Sequence, residues 1–384
     1  MESSGPTPSG GLRAADLPQV SRLFDQPGPF VSLYFATPGA IENAGQRAEK
    51  AWKSVRRALA EAGAPEALLA EIEAVVPDAH LRGETLAVIA NDCILGRFHL
   101  PDPPEREFWR IAALPSVAPL IEWAQSMPTH LIVIANRAGA DIIGVVRGEP
   151  EVATTAGERD PHDPILHKAA PGGWSQRRYQ QRSENAWERN AKEVADRVTK
   201  LFDELRPRLV IVAGDVRAVP LLREHLPPRV LDRLVEVEGA RGTDGGEDVL
   251  SEHAVRMVKS AVAEDTVALL RKFKEESGQG DRAADGVART LEALAASQVD
   301  TLLLGDDVDD PRTAWFGRLP NVVGADEAAV KALGEDNPQE ARVADVCIRA
   351  AWGTGAGVRV VPRHAVPEGV GAILRFTTAP ATPG

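Results

Sequence analysis

Pro171-Gly172-Gly173-Trp174-Ser175-Gln176-Arg177-Arg178-Tyr179-Gln180-Gln181-Arg182 is the stretch around which this 384-residue chain is organised. A Pro-, Gly- and Asp-rich approach from Glu149 to Gly173 ends in two glycines and hands over to a predicted helix over Ser175 to Leu205. The second half of that helix carries an apolar stripe at Trp187, Ala191, Val194, Val198, Leu201, Phe202 and Leu205. Steps of three and four turn such a stripe toward a core. The first half carries no stripe: between Ser175 and Asn185 its one large apolar residue is Tyr179. A helix polar all round gains nothing by docking on its own domain, so this half is expected to project into solvent or a partner.

The residue types at the tip suit RNA. Arg pairs with phosphate bidentately, Gln reads base or sugar edges, and Tyr or Trp stacks on a base. Gly172 and Gly173 lack Cβ atoms, so their backbone can approach a surface closely. The net charge of −12 excludes wholesale tracking of a nucleic-acid backbone, which leaves a local basic element as the means of contact. Every charged residue from Trp174 to Ser183 is Arg, and Arg177 to Lys200 holds seven basic residues against four acidic ones. An ordinary solvated helix start fits these residue types equally well, because exposed Arg and Gln are common on helices.

The pattern resembles the middle domain of the archaeal and eukaryotic class-1 release factor superfamily, which includes Pelota and the Balon-type bacterial hibernation factors. That family carries Gly-Gly-Gln-Ser, two further residues, Arg, an aromatic, then more Arg on a helix. Gly172, Gly173, Ser175, Arg178 and Tyr179 fall on it, and Trp174 stands where the family has glutamine. Two later segments agree in order: Gly286 through Val299-Asp300-Thr301-Leu302-Leu303-Leu304, and Gly369-Val370-Gly371-Ala372-Ile373-Leu374-Arg375-Phe376. The resemblance implies that the tip enters the peptidyl-transferase centre of the ribosome. In the family, the glutamine there helps water attack the peptidyl-tRNA ester. Trp174 keeps a backbone N–H but cannot reproduce the amide. Gln176, two residues on, is the candidate catalytic residue only if the loop is re-registered.

The fold class expected is α/β in three domains: a divergent α/β domain over 1–127, a release-factor-like middle domain over 128–240, and a ribosomal-protein-like α/β sandwich over 247–384. In the first, Phe30 to Phe35, Thr85 to Ala90 and Cys93 to Leu100 are predicted strands, and Ala48 to Glu73 is predicted helical. No codon-reading motif of the Asn-Ile-Lys-Ser kind occurs there. In the second, His130 to Ala135 and Asp141 to Val146 form a predicted hairpin, and Leu209 to Asp215 a strand after the long helix. That alternation implies a partly parallel sheet covered by helices. In the third, helices are predicted over Val249 to Lys274, Thr290 to Ala295 and Glu340 to Trp352. Strands are predicted over Thr301 to Leu304, Val358 to Val361 and Ala372 to Thr377. Val255, Val258, Val262, Val267 and Leu270 are the residues offered for packing by the first of these helices.

Cys93 and Cys347 are too few and too distant for a disulfide framework or a structural zinc site, so neither metal nor cofactor is expected. His162, Asp163 and His167 have neither zinc nor triad spacing. Gly214-Asp215 at a strand end is a weak phosphate or metal site, since no phosphate loop accompanies it. Asp306-Asp307 with Asp309-Asp310 lacks the spaced ligands of a calcium loop and is expected to be a solvated acidic turn. No apolar run approaches a membrane span and no secretory leader pattern opens the chain, so a cytoplasmic location is expected.

The leading expectation is a ribosome-binding hibernation or stress factor without peptide release. Its contacts with large-subunit rRNA or tRNA would be Gly172, Gly173, Trp174, Ser175, Gln176, Arg177, Arg178, Tyr179 and Arg182. An elongation factor is a further partner; membrane and DNA are not. The runner-up is a peptidyl-tRNA hydrolase or rescue factor, and a scaffold that has lost the ribosome is the third reading. Replacing Arg177, Arg178 and Arg182 together with Ala is predicted to weaken cosedimentation with ribosomes and to flatten its dependence on salt, because fewer counterions are released. Equal binding by parent and variant at every salt concentration excludes the tip as an RNA contact.

Overall fold

The computed structural model describes residues 10–37, 43–104, 106–136, 139–146, 149–156, 174–237, 246–279, 282–305 and 307–376. Within 149–151, 174–187 and 246–252 it describes the backbone. After a short helical entry, α1 (Pro18–Ser21), comes β1 (Phe30–Ala36), then α2 (Ala44–Glu61) and α3 (Glu66–Glu73). The single helical stretch expected over Ala48 to Glu73 breaks here for a local reason. Gly63 adopts φ 95, and Pro65 takes the extended N-cap position of α3, where it has no N–H to lose. β2 (Thr85–Ala90), β3 (Ile94–Leu100) and β4 (Phe108–Ala112) follow, then α4 (Ala118–Ser126). The sheet is antiparallel in the order β3-β2-β1-β4. Sequence patterning missed β4 and α4. The strand is half-buried throughout, which blurs its alternation, and Pro119 in the first turn of α4 hides a helix start that tolerates it.

The middle segment forms β5 (His130–Ala135), β6 (Ala140–Val146), β7 (Glu149–Ala156), α5 (Trp174–Leu205), β8 (Leu209–Gly214), α6 (Ala218–His225), α7 (Pro228–Leu231) and β9 (Leu234–Glu236). Its sheet runs β7-β6-β5-β8-β9. β5 is antiparallel to β6 and parallel to β8, and β8 is parallel to β9, so the expected partly parallel sheet is present. β7 corrects the reading of Glu149 onward as loop: Glu149 to Ala156 pairs along the length of β6 despite its proline. Pro150 is tolerated because β7 is an edge strand.

Last come α8 (Gly246–Gln279), β10 (Ala283–Asp285), α9 (Val287–Ala295), β11 (Val299–Leu304), β12 (Thr313–Phe316), β13 (Val323–Gly324), α10 (Glu327–Ala332), β14 (Gln339–Arg342), α11 (Val343–Gly353), β15 (Gly357–Val360) and β16 (Val370–Leu374). They build a four-stranded sheet, β10-β16-β11-β15, and a small sheet, β13-β12-β14. The helix expected from Glu340 starts at Val343 instead. Glu340 and its neighbours pair with β12, and Arg342 is still extended (φ −53, ψ 141).

By packing, the chain forms two compact units, one over Ser126–Asp265 and one joining Pro8–Gln125 to Thr266–Gly384. In the first unit, the middle sheet is covered on both faces. Val194, Val198 and Leu201 of α5, with Val219 and Leu222 of α6, meet Leu131, Val133, Val210 and Val212. Ala254, Val258 and Ala261 of α8 cover Leu209, Ile211 and Ala213 on the other side. The linear division at 240 and 247 thus places the first half of α8 with the last segment, whereas its contacts are with the middle sheet. Val255 and Val267, two of the residues expected to pack, are 44% and 55% exposed.

In the second unit, the first and last segments share one core. Val31, Leu33 and Phe35 face Trp52, Leu59, Leu69 and Ile72 of α2 and α3. Phe30, Tyr34, Ala87 and Ile89 face the opposite way, into a cluster with α4, Leu302, Val346, Ile348 and Val358. Leu269 and Phe273, from the second half of α8, cover Leu303 and Ile373 on the far side of the last sheet.

A polar network crosses this shared core. Ser116 Oγ donates to the carboxylate of Asp345 at 3.0 Å, and Asp345 is wholly buried. The Ser116 backbone N–H donates to Ser32 Oγ at 3.0 Å, and its carbonyl accepts from the Tyr34 hydroxyl at 2.8 Å. The acidic turn is part of the same fastening rather than the solvated turn expected. Asp310 takes a bidentate bond from Arg312, Asp307 pairs with Arg363 at 3.1 Å, and Asp309 pairs with Arg106. Arg110 donates to the Val308 carbonyl at 2.6 Å and Arg342 to that of Asp307 at 2.6 Å. The sequence gives no hint of these partners, because Arg106 and Arg110 lie some 200 residues upstream.

Two histidines make stability pH-dependent. Burial holds the His130 imidazole below its usual range, against a Pro128 carbonyl contact at 2.9 Å that acts the other way. Burial, then the charges of Arg97 and Arg82, lowers His99 as well. Both rings stay neutral in the fold at pH values where the unfolded chain takes up protons. Their contribution is therefore complete above about pH 6.5 and is lost as pH falls below it. The thermal midpoint is predicted to drop between pH 7.5 and 5.5, and a His99→Gln, His130→Gln double variant should show a smaller drop. An equal drop in both proteins assigns the effect to other groups.

Candidate functional site

α5 decides where the tip begins. It starts at Trp174, one residue before the predicted helix, and its 32 residues span about 48 Å at 1.5 Å per residue. Gly172 and Gly173 lie outside the described residues, as do His162, Asp163 and His167. For Trp174, Ser175, Gln176, Arg177, Arg178, Tyr179 and Arg182 the helical backbone is described, which fixes their positions around the axis.

At about 100° per residue, Arg177, Trp174, Arg178 and Arg182 fall within an arc of about 140°. Gln176 and Gln180 fall on the opposite side. The root of the helix buries Ala191, Val194, Val198 and Leu201, which continue the line of Gln176 and Gln180 rather than that of the arginines. Trp174 stands about 25 Å along the axis from Ala191. The helix thus brings the three arginine positions and Trp174 to one side, away from the line of its buried stripe. Gln176 sits in the first turn, so giving it the place of Trp174 requires unwinding about two residues of helix.

The root is well held. Val198 is fully buried and Leu201 and Phe202 nearly so. The Arg233 guanidinium lies 5.8 Å from the Phe202 ring centroid and also donates to the Pro207 carbonyl at 2.7 Å. Arg229 grips the carboxylate of Asp203 with two bonds, and that hydrogen bonding holds the carboxyl below its usual range. At the start of β8, Arg208 makes a bidentate pair with Asp265 of α8 at 2.8 and 2.6 Å, with Asp265 only 7% exposed.

Gly214-Asp215, weighed from sequence as a phosphate or metal site, has a structural role here. Gly214 adopts φ +144, and a Cβ there would stand 1.8 Å from the Ala135 carbonyl oxygen. The Asp215 carboxylate accepts from the Arg217 N–H at 2.8 Å, and its carbonyl accepts from the Ala218 and Val219 N–H groups that open α6. Sequence analysis missed a cleft beside this turn, lined by Asn136, Asn190 and Arg217. The available signal was Asn190, a buried amide next to the apolar stripe of α5.

Of the cysteines, Cys93 is exposed and Cys347 buried. Burial and the neighbouring Asp345 push the Cys347 thiol up to about 12, so it is no nucleophile. Among the described residues no three His, Cys, Asp or Glu side chains gather as a metal site would need. Among them, too, no helix is long and apolar enough to cross a membrane.

Comparison with known proteins agrees with this architecture. The model of bacterial archaeo-eukaryotic release factor family 2 matches residues 129–279, which hold the middle sheet, α5 and α8. Over 358 residues the chain is 30% identical to the uncharacterized protein Rv2629 of Mycobacterium tuberculosis H37Rv, covering 91% of this chain and 94% of that one. It is 28% identical over 217 residues to peptide chain release factor subunit 1 of Methanopyrus kandleri, covering 54% of this chain and 51% of that one. The chain belongs to the bacterial branch of the archaeal release factor and Pelota superfamily. Among solved structures, ribosome-bound archaeal Pelota aligns over 99% of this chain and 100% of its own, with 13% identity and a TM-score of 0.38. The archaeal termination factor aRF1 aligns over 95% and 98%, with 16% identity and a TM-score of 0.24. At such scores these superpositions add nothing to what the sequence relatives establish.

Removing a methylene-rich side chain from the helix root is predicted to be costly. Leu201→Ala should lower stability by about 2–5 kcal/mol, seen as a lower denaturant midpoint with an unchanged slope. Arg182→Ala should leave the midpoint nearly in place. Equal sensitivity at both positions contradicts a helix anchored only through its second half.

Proposed function

We propose that this protein is a ribosome-binding translation factor of the hibernation or stress type. Its Gly172–Arg182 tip enters the peptidyl-transferase centre of vacant or stalled ribosomes without releasing peptide. The observation that carries this reading is the start of α5 at Trp174, immediately after the Gly-Gly pair, in a chain of the release factor superfamily. Gly172 and Gly173 give close backbone approach, Trp174 stacks on RNA, and Arg177, Arg178 and Arg182 hold phosphates. Ser175, Gln176 and Tyr179 complete the contact with rRNA or tRNA. The helical position of Gln176 argues against its use as a substitute catalytic amide. The three segments 1–127, 128–240 and 247–384 are kept as the functional division, with the last as the partner-contacting part.

Trp174 separates occupancy from hydrolysis. Stacking on RNA is worth about 1–3 kcal/mol per base, so Trp174→Ala should weaken ribosome affinity by roughly ten-fold or more. Trp174→Gln should restore the family loop without restoring that contact. Ribosome affinity and release of labelled peptide are measured for the parent, these two variants and Gln176→Ala in identical salt. An inactive parent whose affinity falls in Trp174→Ala is expected. A parent that releases peptide through Gln176, with binding untouched in Gln176→Ala, establishes the hydrolase instead.

A further inference from the structure

The cleft that sequence analysis missed lies within the middle unit, at the C-terminal ends of β5 and β8, against the root of α5. It encloses about 330 Å³, open to solvent on one side. Small residues create it: Ala135 and Gly139 on the strand side, Ala191 on α5 and Ala218 at the start of α6. Val194 and Leu222 floor it, each nearly fully buried. Its polar lining is Asn136, Asn190 and Arg217.

We propose that this cleft binds a nucleoside 5′-monophosphate unit, with the base on the apolar floor and the phosphate on Arg217. Three features select this chemistry. First, the volume falls within the roughly 300–1,000 Å³ usual for small-ligand clefts. The small side chains on facing walls leave a slot suited to a planar ring. Second, Asn190 places a buried amide beside an otherwise apolar wall. Asn136 adds a second amide, whose oxygen accepts from the Gly139 N–H at 3.0 Å and so fixes the side chain at the rim. Amides on an apolar floor recognise the hydrogen-bonding edge of a base.

Third, Arg217 is an exposed cation at the mouth whose side chain forms no ion pair among the described residues. The nearby Asp215 carboxylate is occupied by the Arg217 backbone N–H and does not line the cleft. A guanidinium free of a carboxylate partner is suited to a phosphate oxygen pair. The inference stands on this lining alone and does not need the tip to enter a ribosome.

The test uses the full-length chain without ribosomes. AMP, GMP, CMP and UMP are titrated calorimetrically, with adenosine and inorganic phosphate as partial ligands, against the parent, Arg217→Ala and Ala191→Met. At least one nucleotide should bind saturably and more tightly than either partial ligand. Arg217→Ala should weaken it about ten-fold, since a charge-assisted contact is lost. Ala191→Met, which fills the slot, should abolish it. Arg217 is exposed, so its variant tests the site even if Ala191→Met folds poorly. A short single-stranded RNA, titrated in parallel, identifies the source. Tighter binding of the RNA with the same dependence on Arg217 assigns the cleft to an unstacked RNA nucleotide, and binding of the free nucleotides alone assigns it to a mononucleotide. No binding of any nucleotide up to about 10 mM overturns the proposal, as does binding that Arg217→Ala leaves unchanged. Because no ribosome takes part, either outcome is separate from the fate of the ribosome-occupancy reading.

Discussion

The central strands of this chain are apolar on both faces, and a sheet built from them has to be covered twice. β2 is buried at all six positions, β8 at five of six and β11 at five of six. Each such strand creates a demand for two covering layers, and the chain meets it with few elements. α2 and α3 take one face of the first sheet, and α4 with the last segment takes the other. α5 and α6 take one face of the middle sheet, and the first half of α8 takes the other. The second half of α8 then covers the last sheet. Most of the architecture follows from that double demand.

Charge is used to fasten segments rather than to advertise a surface. The acidic turn after β11 is held by arginines from both ends of the sequence, and Asp345 is buried where Ser116 can donate to it. A buried carboxylate is a weak source of net stability, because desolvation offsets much of its attraction. Losing one partner is costly, though, since the remaining charge stays buried without compensation. The network therefore favours one seating of the first sheet on the last segment over others. That leaves the arginines of α5 as a local basic element on a chain of net charge −12.

Function separates along α5. Its root is fixed by packing, and its tip is fixed by what the backbone permits: an unbroken helix beginning at Trp174. A catalytic glutamine needs to stand in the loop, where its backbone N–H and side chain meet the reacting ester. An indole at that position offers area for stacking and no amide. Family membership and loss of the amide together favour a protein that occupies an RNA-walled site over one that does chemistry in it.

Much was legible in the sequence because it is set locally. The period of three and four in α5, the apolar runs of β5 and β8, and the Gly-Gly handover need only neighbours in the chain, and the family pattern at Gly172–Tyr179 is itself local. The break at Gly63 to Pro65 was equally local and was passed over. What sequence could not supply depends on partners far apart. β4 and β7 are strands because β1 and β6 offer them hydrogen bonds. Glu340 joins a strand rather than a helix because β12 lies beside it. Val255 is exposed while Ala254 is buried, because the sheet chooses which face of α8 it meets. The acidic turn became a fastening only when Arg106 arrived from the first segment, and the cleft at Asn190 exists only where α5 crosses the ends of two strands. Periodicity and turn chemistry come from the chain itself, whereas which face is covered, and by whom, comes from tertiary packing.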